Sequence, residues 1–256
     1  MSYFIDDVMQ KIYFRADASA TIGYGHFIHT LALADMLKDD FDCTFFTCHP
    51  TSYQVSEMEK VCPFIPLQEE THSADFLSHL QGDEIVVLDN YFFTTDYQRA
   101  IKQKGCRLVC VDDMHDKHYV ADVVINHTLT DSGLFDVEPY TKLCLGFDWA
   151  LLRRPFIEAV NKLCSCAKRT ESITITFGGV DSFDFTGHYI REAMQLPTVS
   201  QITAVVGDAY QPQKPRVRDR RVSYCSNLTA QQMAELFCAS DWVICSASTV
   251  SIGAIA

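Results

Sequence analysis

The chain has 256 residues, of which 48% are hydrophobic, and a formal net charge of -12. Its length accommodates one large domain or two domains of ordinary size, and its apolar content suffices for a packed core. The acidic balance argues against a nucleic-acid partner, which requires a basic surface, but allows a small anionic ligand held by backbone amides and arginines.

The first half of the chain alternates strand-like and helix-like segments. Strands that alternate with helices of about 10–15 residues imply right-handed crossovers and a mainly parallel sheet. The strand-like segments are mostly apolar rather than alternating, as expected when helices cover both faces of the sheet. The sequence therefore predicts an α/β fold, with strands at 12–15, 43–48, 84–88, 107–111, 120–125 and 142–145 and helices at 27–38 and 95–103.

A change of character follows at 156–170, where Lys162, Lys168 and Arg169 interrupt the apolar pattern. We interpret this stretch as a linker or an interdomain helix, after which the alternation resumes. Strands are predicted at 172–177, 201–206 and 242–245, helices at 187–195 and 229–239, and an exposed loop at 208–221.

The chain is thus expected to form an N-terminal lobe over 1–155 and a C-terminal lobe over 171–256, joined by the linker. Each lobe opens on a strand that runs into a glycine loop, which predicts two similar lobes. Residues 248–256 resemble the start of a helix with no closing strand, so the second lobe is expected to be incomplete.

The first glycine loop carries the strongest local signal. It follows the first strand and contains Gly23 and Gly25, which permit a close backbone approach to a ligand at the carboxyl edge of the sheet. His26 falls at the start of the next helix, where the helix dipole disfavours an imidazolium and so favours a proton acceptor. Asp17 is a candidate for orienting that base. A capping loop with an incidental histidine is the alternative.

Polar residues also follow two later strands of the first half. Asp89, Asn90 and Tyr91 form either a cap and turn or a ligand contact. The next acidic loop has residue types that suit a metal, but its spacing matches no compact ligand motif, and no metal site is predicted. Its candidate residues are Asp112, Asp113, His115, Asp116 and His118.

Two loops of the second half suit phosphate. Gly178–Asp181 provides a glycine turn after a strand, and Ser246–Thr249 provides small hydroxyl residues at an incipient helix. Either loop could equally be an ordinary helix cap. The chain has no GxxxxGK[ST], GxSxG or GxGxxG pattern, so kinase, hydrolase-elbow and simple NAD-binding functions lose their main support.

Location is predicted from what the sequence lacks. No apolar run approaches the roughly 20 residues of a membrane span. Residues 1–11 carry Asp6 and Asp7 and lack the pattern of a signal peptide. The 11 cysteines form no CxxC pair and lie largely in apolar runs, which is typical of reduced buried thiols. We expect a cytoplasmic protein.

Taken in this order, the segments resemble those of one family. It comprises the UDP-2,4-diacetamido-2,4,6-trideoxy-β-L-altropyranose hydrolases of pseudaminic acid biosynthesis and related spore-coat polysaccharide biosynthesis proteins. The matching segments are FRADASATIGYGH at 14–26, DNY at 89–91, VDD at 111–113, GFDWALLRRPF at 146–156, FGGVD at 177–181 and SAST at 246–249.

This resemblance implies a fold like that of GT-B glycosyltransferases, with two Rossmann-like lobes facing across a cleft and the nucleotide held mainly by the second. It implies transfer of a glycosyl group to water, with release of UDP, inversion at the anomeric carbon and no cofactor. His26 matches the catalytic histidine and Tyr91 the cleft tyrosine, with Asp17 as a further catalytic candidate. The residues expected to bind substrate or nucleotide are Arg15, Gly23, Tyr24, Gly25, Asn90, Arg153, Gly178, Gly179, Asp181, Ser246, Ser248 and Thr249.

Two positions depart from the family. GT-B nucleotide lobes usually place a ribose-binding glutamate shortly after the small-residue turn, whereas residues 250–253 include no acid. His29 stands where the family commonly has arginine or lysine. A glycosyltransferase with a sugar acceptor and a non-catalytic sugar-nucleotide-binding protein therefore remain as alternatives.

Overall fold

The computed structural model describes residues 9–19, 22–160, 171–178, 181–207, 210–246 and 249–255. Their Cα positions divide into two compact units. The first consists of the described parts of Met1–Ala18 and His26–Leu151, and the second of those of Ser19–Gly25 and Leu152–Ala256. The lobe boundaries predicted from the sequence stay a prediction, and residues 161–170 of the expected linker lie outside the described residues.

The first unit is built on a parallel sheet. In its described part the strands are β1 (Lys11–Ala16), β2 (Asp42–Cys48), β3 (Phe64–Leu67), β4 (Ile85–Asp89), β5 (Arg107–Val111), β7 (Val123–Asn126) and β9 (Lys142–Leu145). A separate parallel pair consists of β6 (His118–Tyr119) and β8 (Asp136–Val137). The helices are α1 (Gly25–Leu37), α2 (Ser52–Met58), α3 (His72–His79) and α4 (Thr95–Gln103), with 3₁₀ turns at Ser132–Leu134 and Phe147–Trp149.

The order of the strands locates a crevice in this sheet. The order is β3-β2-β1-β4-β5-β7-β9, so the chain progresses in one direction from β1 to β3 and in the other from β4 onward. Every pairing in it is parallel. The switch falls between β1 and β4, and in open parallel sheets ligands bind at such a point, beyond the carboxyl ends of the strands.

Both faces of the first sheet are buried, which explains its apolar strands. Along β4, Val86 and Leu88 pack into one apolar cluster with Phe76 and Ile101, while Val87 packs into another on the opposite face. That second cluster includes Phe14, Phe27 and Leu31, so it fixes α1 against β1. Alternate side chains of a strand point to opposite faces, and here each face meets helices.

The second unit has a smaller parallel sheet. Its described strands are β10 (Ser172–Thr176), β11 (Gln201–Val205), β12 (Val222–Cys225) and β13 (Trp242–Cys245), in the order β12-β11-β10-β13. Its helices are α5 (Arg154–Val160), α6 (Phe185–Ala193), α7 (Ala230–Cys238) and α8 (Thr249–Ile255). Phe156 of α5 packs against Phe237 of α7, and Ile173, Ile175 and Ile190 belong to the core beside β10.

The structure confirms the predicted α/β class and its mainly parallel sheets. The described helices and strands that were missed are α2, β3, α3 and β12 together with the short pair β6 and β8. The predicted strand at 120–125 begins later, at Val123, and the Asp122 carboxylate just before it accepts hydrogen bonds from the Leu108 backbone and from Lys102. In the part of the chain described here, no helix combines the length and apolar character needed to cross a membrane.

Candidate active site

The site lies at the switch point between β1 and β4. Ala16 at the end of β1 is paired with Asp89 at the end of β4, so the loops that follow both strands emerge side by side. The loop after β1 leads into α1, whose second residue is His26. The loop after β4 contains Asn90 and Tyr91. Residues that are far apart in the sequence are thereby brought to one edge of the sheet.

His26 is held by a buried carboxylate. Its Nδ1 lies 2.6 Å from Oδ1 of Asp89, and the Thr30 hydroxyl donates to the other oxygen, Oδ2, at 3.0 Å. All three side chains are buried. His26 and Thr30 are one turn apart on α1 and so share the face that meets β4. With Nδ1–H donating to Asp89, Nε2 is the nitrogen that can accept a proton.

The charge of Asp89 decides the basicity of His26. Burial acts to lower the pKa of His26, but the hydrogen bond and charge of Asp89 outweigh it and raise the pKa above its ordinary value. Asp113 adds to this rise, whereas Lys117 opposes it. The effect of the helix start on the imidazolium, which was expected to keep His26 neutral, is therefore outweighed by Asp89. A helix dipole contributes about 0.3–1 kcal/mol, less than a buried hydrogen bond to a charged group.

Tyr91 packs against the base. Its ring meets the His26 imidazole edge to face, with the ring centroids 4.3 Å apart. Its hydroxyl donates to Oδ2 of Asp113 at 3.0 Å. Burial and this hydrogen bond raise the pKa of Tyr91 to about 12, so the phenol keeps its proton at neutral pH.

Asp17 has a different role from the one expected. Its carboxylate binds the Arg15 guanidinium through two hydrogen bonds of 2.5 and 2.7 Å. It also accepts from the Cys48 backbone at 2.7 Å and the Thr47 hydroxyl at 3.2 Å. Burial would raise the pKa of Asp17, but these donors hold it below its usual value. Asp89, not Asp17, orients His26, and the expectation for Asp17 is corrected.

Arg15, expected to bind substrate, is directed into the protein. Its side chain is fully buried, and besides Asp17 it contacts His72 Nδ1 at 3.1 Å. The rings of Phe92 and Phe93 lie 5.9 and 5.5 Å from the guanidinium carbon. These contacts tie the end of β1 to the neighbouring loops and leave no exposed part of the guanidinium for a ligand.

The remaining predicted residues of the glycine loop and of the β4 loop have the following local structure. Gly23 has φ +76°, a conformation that favours glycine, and its N–H donates to the Ser19 carbonyl at 2.8 Å. Tyr24 is exposed and Gly25 begins α1. The side-chain oxygen of Asn90 accepts a hydrogen bond from the Tyr91 backbone N–H. The buried side-chain nitrogen of Asn90 has no hydrogen-bond partner in the described structure.

A pair of histidines stands beside His26. His29 lies one turn further along α1, and its ring is 4.7 Å from that of His127 at the end of β7. Burial, together with the neighbouring His127 and His26, lowers the pKa of His29 to about 3. His29 is thus neutral where the resembling family commonly has a cation.

In the second unit, the residues expected to bind the nucleotide differ in their local contacts, and some lie outside the described residues. Asp181 caps α6 by accepting from the backbone of Phe185 and Thr186 at 3.0 and 2.8 Å. Arg153 lies with its guanidinium carbon 5.4 Å from the Phe156 ring. Gly178 is the second residue after β10, and Ser246 directly follows β13. Gly179, Ser248 and the side chain of Thr249 lie outside the described residues.

The position of the missing glutamate is closed by packing. Gly253 lies in α8, and a Cβ added there would be 3.0 Å from Cε1 of Phe156. The helix backbone therefore meets this ring directly. The acid is absent from a place where the aromatic ring leaves little room for a side chain.

A cavity of about 260 Å³ in the second unit was missed from the sequence. It lies beyond the carboxyl ends of β11 and β12, where the sequence predicted only an exposed loop. The Arg216 guanidinium lies 5.0 Å from the Tyr224 ring and 5.9 Å from the Tyr210 ring. The cluster of arginines at 216–221 was the available signal. The cavity is lined by Val206, Gly207, Tyr210, Arg216, Tyr224, Cys225 and Ser226.

The acidic loop after β5 is organised by its own hydrogen bonds. Asp112 accepts from the backbone of Met114 and His115 and from the Tyr119 hydroxyl. His118 contacts Asp136 in β8 at 2.9 Å. Among the described residues, no group of three or more histidine, cysteine, aspartate or glutamate side chains could hold a metal ion.

Two curated proteins are similar in sequence, while no protein-family model matches the chain. The uncharacterized protein MJ1062 of Methanocaldococcus jannaschii is 25% identical over 210 residues, which cover 78% of this chain and 43% of that protein. The UDP-2,4-diacetamido-2,4,6-trideoxy-β-L-altropyranose hydrolase of Campylobacter jejuni is 25% identical over 198 residues, covering 75% of this chain and 68% of that enzyme. The match thus spans less than half of the archaeal relative.

Solved structures with the same fold include three whose likeness extends over most of this chain. HepE of Anabaena in complex with UDP-glucose has a TM-score of 0.53 at 14% identity, over 91% of this chain and 72% of that one. MurG of Acinetobacter baumannii has a TM-score of 0.54 at 14% identity, over 94% of this chain and 73% of that one. UGT89C1 of Arabidopsis thaliana complexed with UDP has a TM-score of 0.60 at 12% identity, over 96% of this chain and 77% of that one. The chain has the α/β fold of GT-B glycosyltransferases, as predicted.

Proposed function

We propose that the protein hydrolyses a UDP-linked deoxy-amino sugar, with release of UDP and inversion at the anomeric carbon, in surface-sugar biosynthesis of the pseudaminic acid type. The observation that carries this proposal is the buried Asp89–His26 pair at the switch point of the first sheet. The similar hydrolase of Campylobacter jejuni and the fold shared with proteins solved with UDP or UDP-glucose support it. A cytoplasmic location stays a prediction.

His26 acts as the general base in this proposal. Nε2 accepts a proton from a water molecule while the water oxygen forms a bond to the anomeric carbon. The bond from that carbon to the diphosphate oxygen breaks, and its electron pair leaves with UDP. The Asp89 carboxylate stabilises the imidazolium that forms and holds the ring in the required tautomer. Tyr91 packs on the ring and limits its rotation.

The second unit is assigned to the nucleotide. UDP is a good leaving group, so neutralising the developing diphosphate charge replaces a strong general acid. We assign this task to the turns at Gly178–Gly179 and Ser246–Thr249, as expected from the sequence. The Arg216 cavity is a second place for an anionic or aromatic part of the nucleotide, because it combines a cation with two tyrosine rings. The proposed reaction uses no metal or cofactor.

A glycosyltransferase is the second candidate, because the fold is that of GT-B glycosyltransferases. A sugar hydroxyl would then take the place of water at Nε2 of His26. The chemistry of the base is the same in both cases. The two candidates differ in whether UDP release depends on an acceptor.

The test is incubation with UDP-linked amino sugars, with and without a sugar acceptor, followed by phosphorus NMR of released UDP. We expect release in water alone, and a loss of about 10²–10⁴-fold in His26→Asn, the usual contribution of a general base. His49→Asn is the control, because that exposed histidine lies outside the site, near Glu69. Acceptor-dependent release would favour the transferase, and binding without release a non-catalytic protein.

A further inference from the structure

Asp113 is linked to the base through Tyr91. Tyr91 is the second residue after β4 and Asp113 the second after β5, and these two strands are neighbours in the sheet. The two loops therefore leave the same edge side by side. The Tyr91 hydroxyl donates to Oδ2 of Asp113 at 3.0 Å, and the ring of the same residue contacts His26.

Three acidic residues of the β5 loop have different partners. Asp112 is bound by groups that follow it in the chain, from Met114 to Tyr119. Asp116 pairs with the adjacent Lys117 at 3.0 Å. Of the described hydrogen bonds of these three carboxylates, the one of Asp113 reaches a different loop. That loop contains Tyr91, whose ring contacts His26.

Tyr91 needs such a partner to keep its position. The residue is 47% exposed, so packing alone restrains its ring on one side only. A hydrogen bond from the hydroxyl at the far end of the ring restrains the side chain from swinging away about its Cα–Cβ bond into solvent. A bond to a carboxylate is stronger than one to a neutral acceptor.

We propose that Asp113 is a positioning residue of this site, which holds the Tyr91 ring against His26 by accepting its phenolic hydrogen bond. This inference rests on the proposed function for its effect on turnover. Asp113 also contributes charge at the base. The groups that face His26 are Asp89, Tyr91, His29, Asp113 and Lys117. Of the two charged residues in the loop after β5, Asp113 favours the imidazolium and Lys117 opposes it.

Turnover of the UDP-linked amino sugar by four variants tests the positioning role. We expect Asp113→Ala to lower kcat by about 3–10-fold, corresponding to the loss of one partly exposed hydrogen bond. Asp113→Asn should lose less, because its amide oxygen still accepts from Tyr91. Tyr91→Phe should resemble Asp113→Ala, and the double variant Tyr91→Phe with Asp113→Ala should be no slower than Tyr91→Phe alone.

The control is Asp96→Ala, which removes an exposed carboxylate paired with Arg99 and not in contact with Tyr91, and it should turn over like the unaltered protein. Losses that multiply in the double variant would overturn the inference, since Asp113 would then act independently of Tyr91. An Asp113→Ala variant as fast as the unaltered protein would do the same.

A titration of His26 by NMR needs no substrate and separates this inference from the proposed function. Loss of the Asp113 charge should lower the pKa of His26 in both Asp113→Ala and Asp113→Asn, but not in the control Asp96→Ala. An unchanged His26 titration in both Asp113 variants would contradict the inference. The contact between the Tyr91 and His26 rings, followed by NMR in the absence of substrate, reports the positioning itself: it should weaken in Asp113→Ala and persist in Asp113→Asn, and an unchanged contact in Asp113→Ala would overturn the inference. If no UDP-linked sugar is hydrolysed, the proposed function fails while this contact still decides the role of Asp113.

Discussion

His26 and Asp89 are 63 positions apart in the sequence, and their contact depends on the pairing of β1 with β4. The glycine loop and the helix start singled out His26, and the strand end singled out the segment that contains Asp89. Periodicity does not reveal which strands are neighbours, so the partner of the base was missed. Tyr91 was singled out as a cleft tyrosine through the family resemblance, and its contact with the His26 ring was not predicted.

The contact between Asp17 and Arg15, unlike that between His26 and Asp89, could have been predicted from the sequence but was not. Arg15 and Asp17 are two positions apart on an extended segment, and such residues point to the same face. Their ion pair was therefore open to prediction from the sequence alone. The family motif drew attention to ligand binding instead, and the structure places both side chains in the packing beneath the site.

Asp89→Asn should alter both the rate and its pH dependence. The base must be neutral to act, and Asp89 raises the pKa of His26 above 6.5, so kcat/KM should fall on the acid side with a midpoint above that value. Removing the charge lowers the pKa and moves this midpoint to lower pH, while loss of the correct tautomer lowers kcat by about 10²–10⁴-fold. A pH series of initial rates measures both, with the exposed Asp96→Asn as control. An unmoved midpoint would contradict the assignment of Asp89.

Asp17→Asn should act on stability more than on proton transfer. Removing one partner of a buried ion pair leaves the Arg15 guanidinium uncompensated, which costs about 3–5 kcal/mol. Urea denaturation of the whole chain measures the free energy of unfolding, and Asp96→Asn should stay within about 0.5 kcal/mol of the unaltered protein. A variant of unchanged stability with a large loss of kcat would restore Asp17 as a catalytic residue.

At the scale of elements, burial explains which strands were predicted. The central strands are apolar because helices cover both faces, and that pattern is readable in the sequence. The edge strand β3 contains Pro66, which argues against a strand unless it lies at a sheet edge, and edge position is known only from the fold. Helix α2 was missed although Thr51 and Gln54 form a capping box, a signature present in the sequence.

The turn that leads into β4 depends on a close backbone approach. Gly82 has φ +105°, and a Cβ added there would lie 2.3 Å from the Lys104 carbonyl oxygen. Gly82→Ala should therefore destabilise the protein by about 2 kcal/mol or more, through strain and forced separation of these backbones. Thermal denaturation measures the effect. Gly133→Ala is the matched control, because its Cβ would approach only the Asp131 side chain, at 3.2 Å; equal effects of the two changes would refute this account of the turn.

At the scale of the whole molecule, the alternation of strands and helices sufficed to predict the α/β class, and the family resemblance indicated the GT-B fold. The sugar is not predictable in this way. Under the proposed function, Asn90 is assigned to substrate binding, and its surroundings are set by the loop after β4 rather than by a periodic segment. The Arg216 cavity escaped prediction for the same reason, because the two strands and the irregular segment that enclose it are brought together by the fold.

The central claim is that water attacks the anomeric carbon. Hydrolysis of the UDP-linked amino sugar in ¹⁸O-labelled water, analysed by mass spectrometry of both products, tests it most directly. The account predicts one ¹⁸O atom on the anomeric carbon of the released sugar and none in UDP, because the carbon–oxygen bond is the one that breaks. Label in UDP, which would indicate attack at phosphorus, or the absence of any release without a sugar acceptor would contradict it.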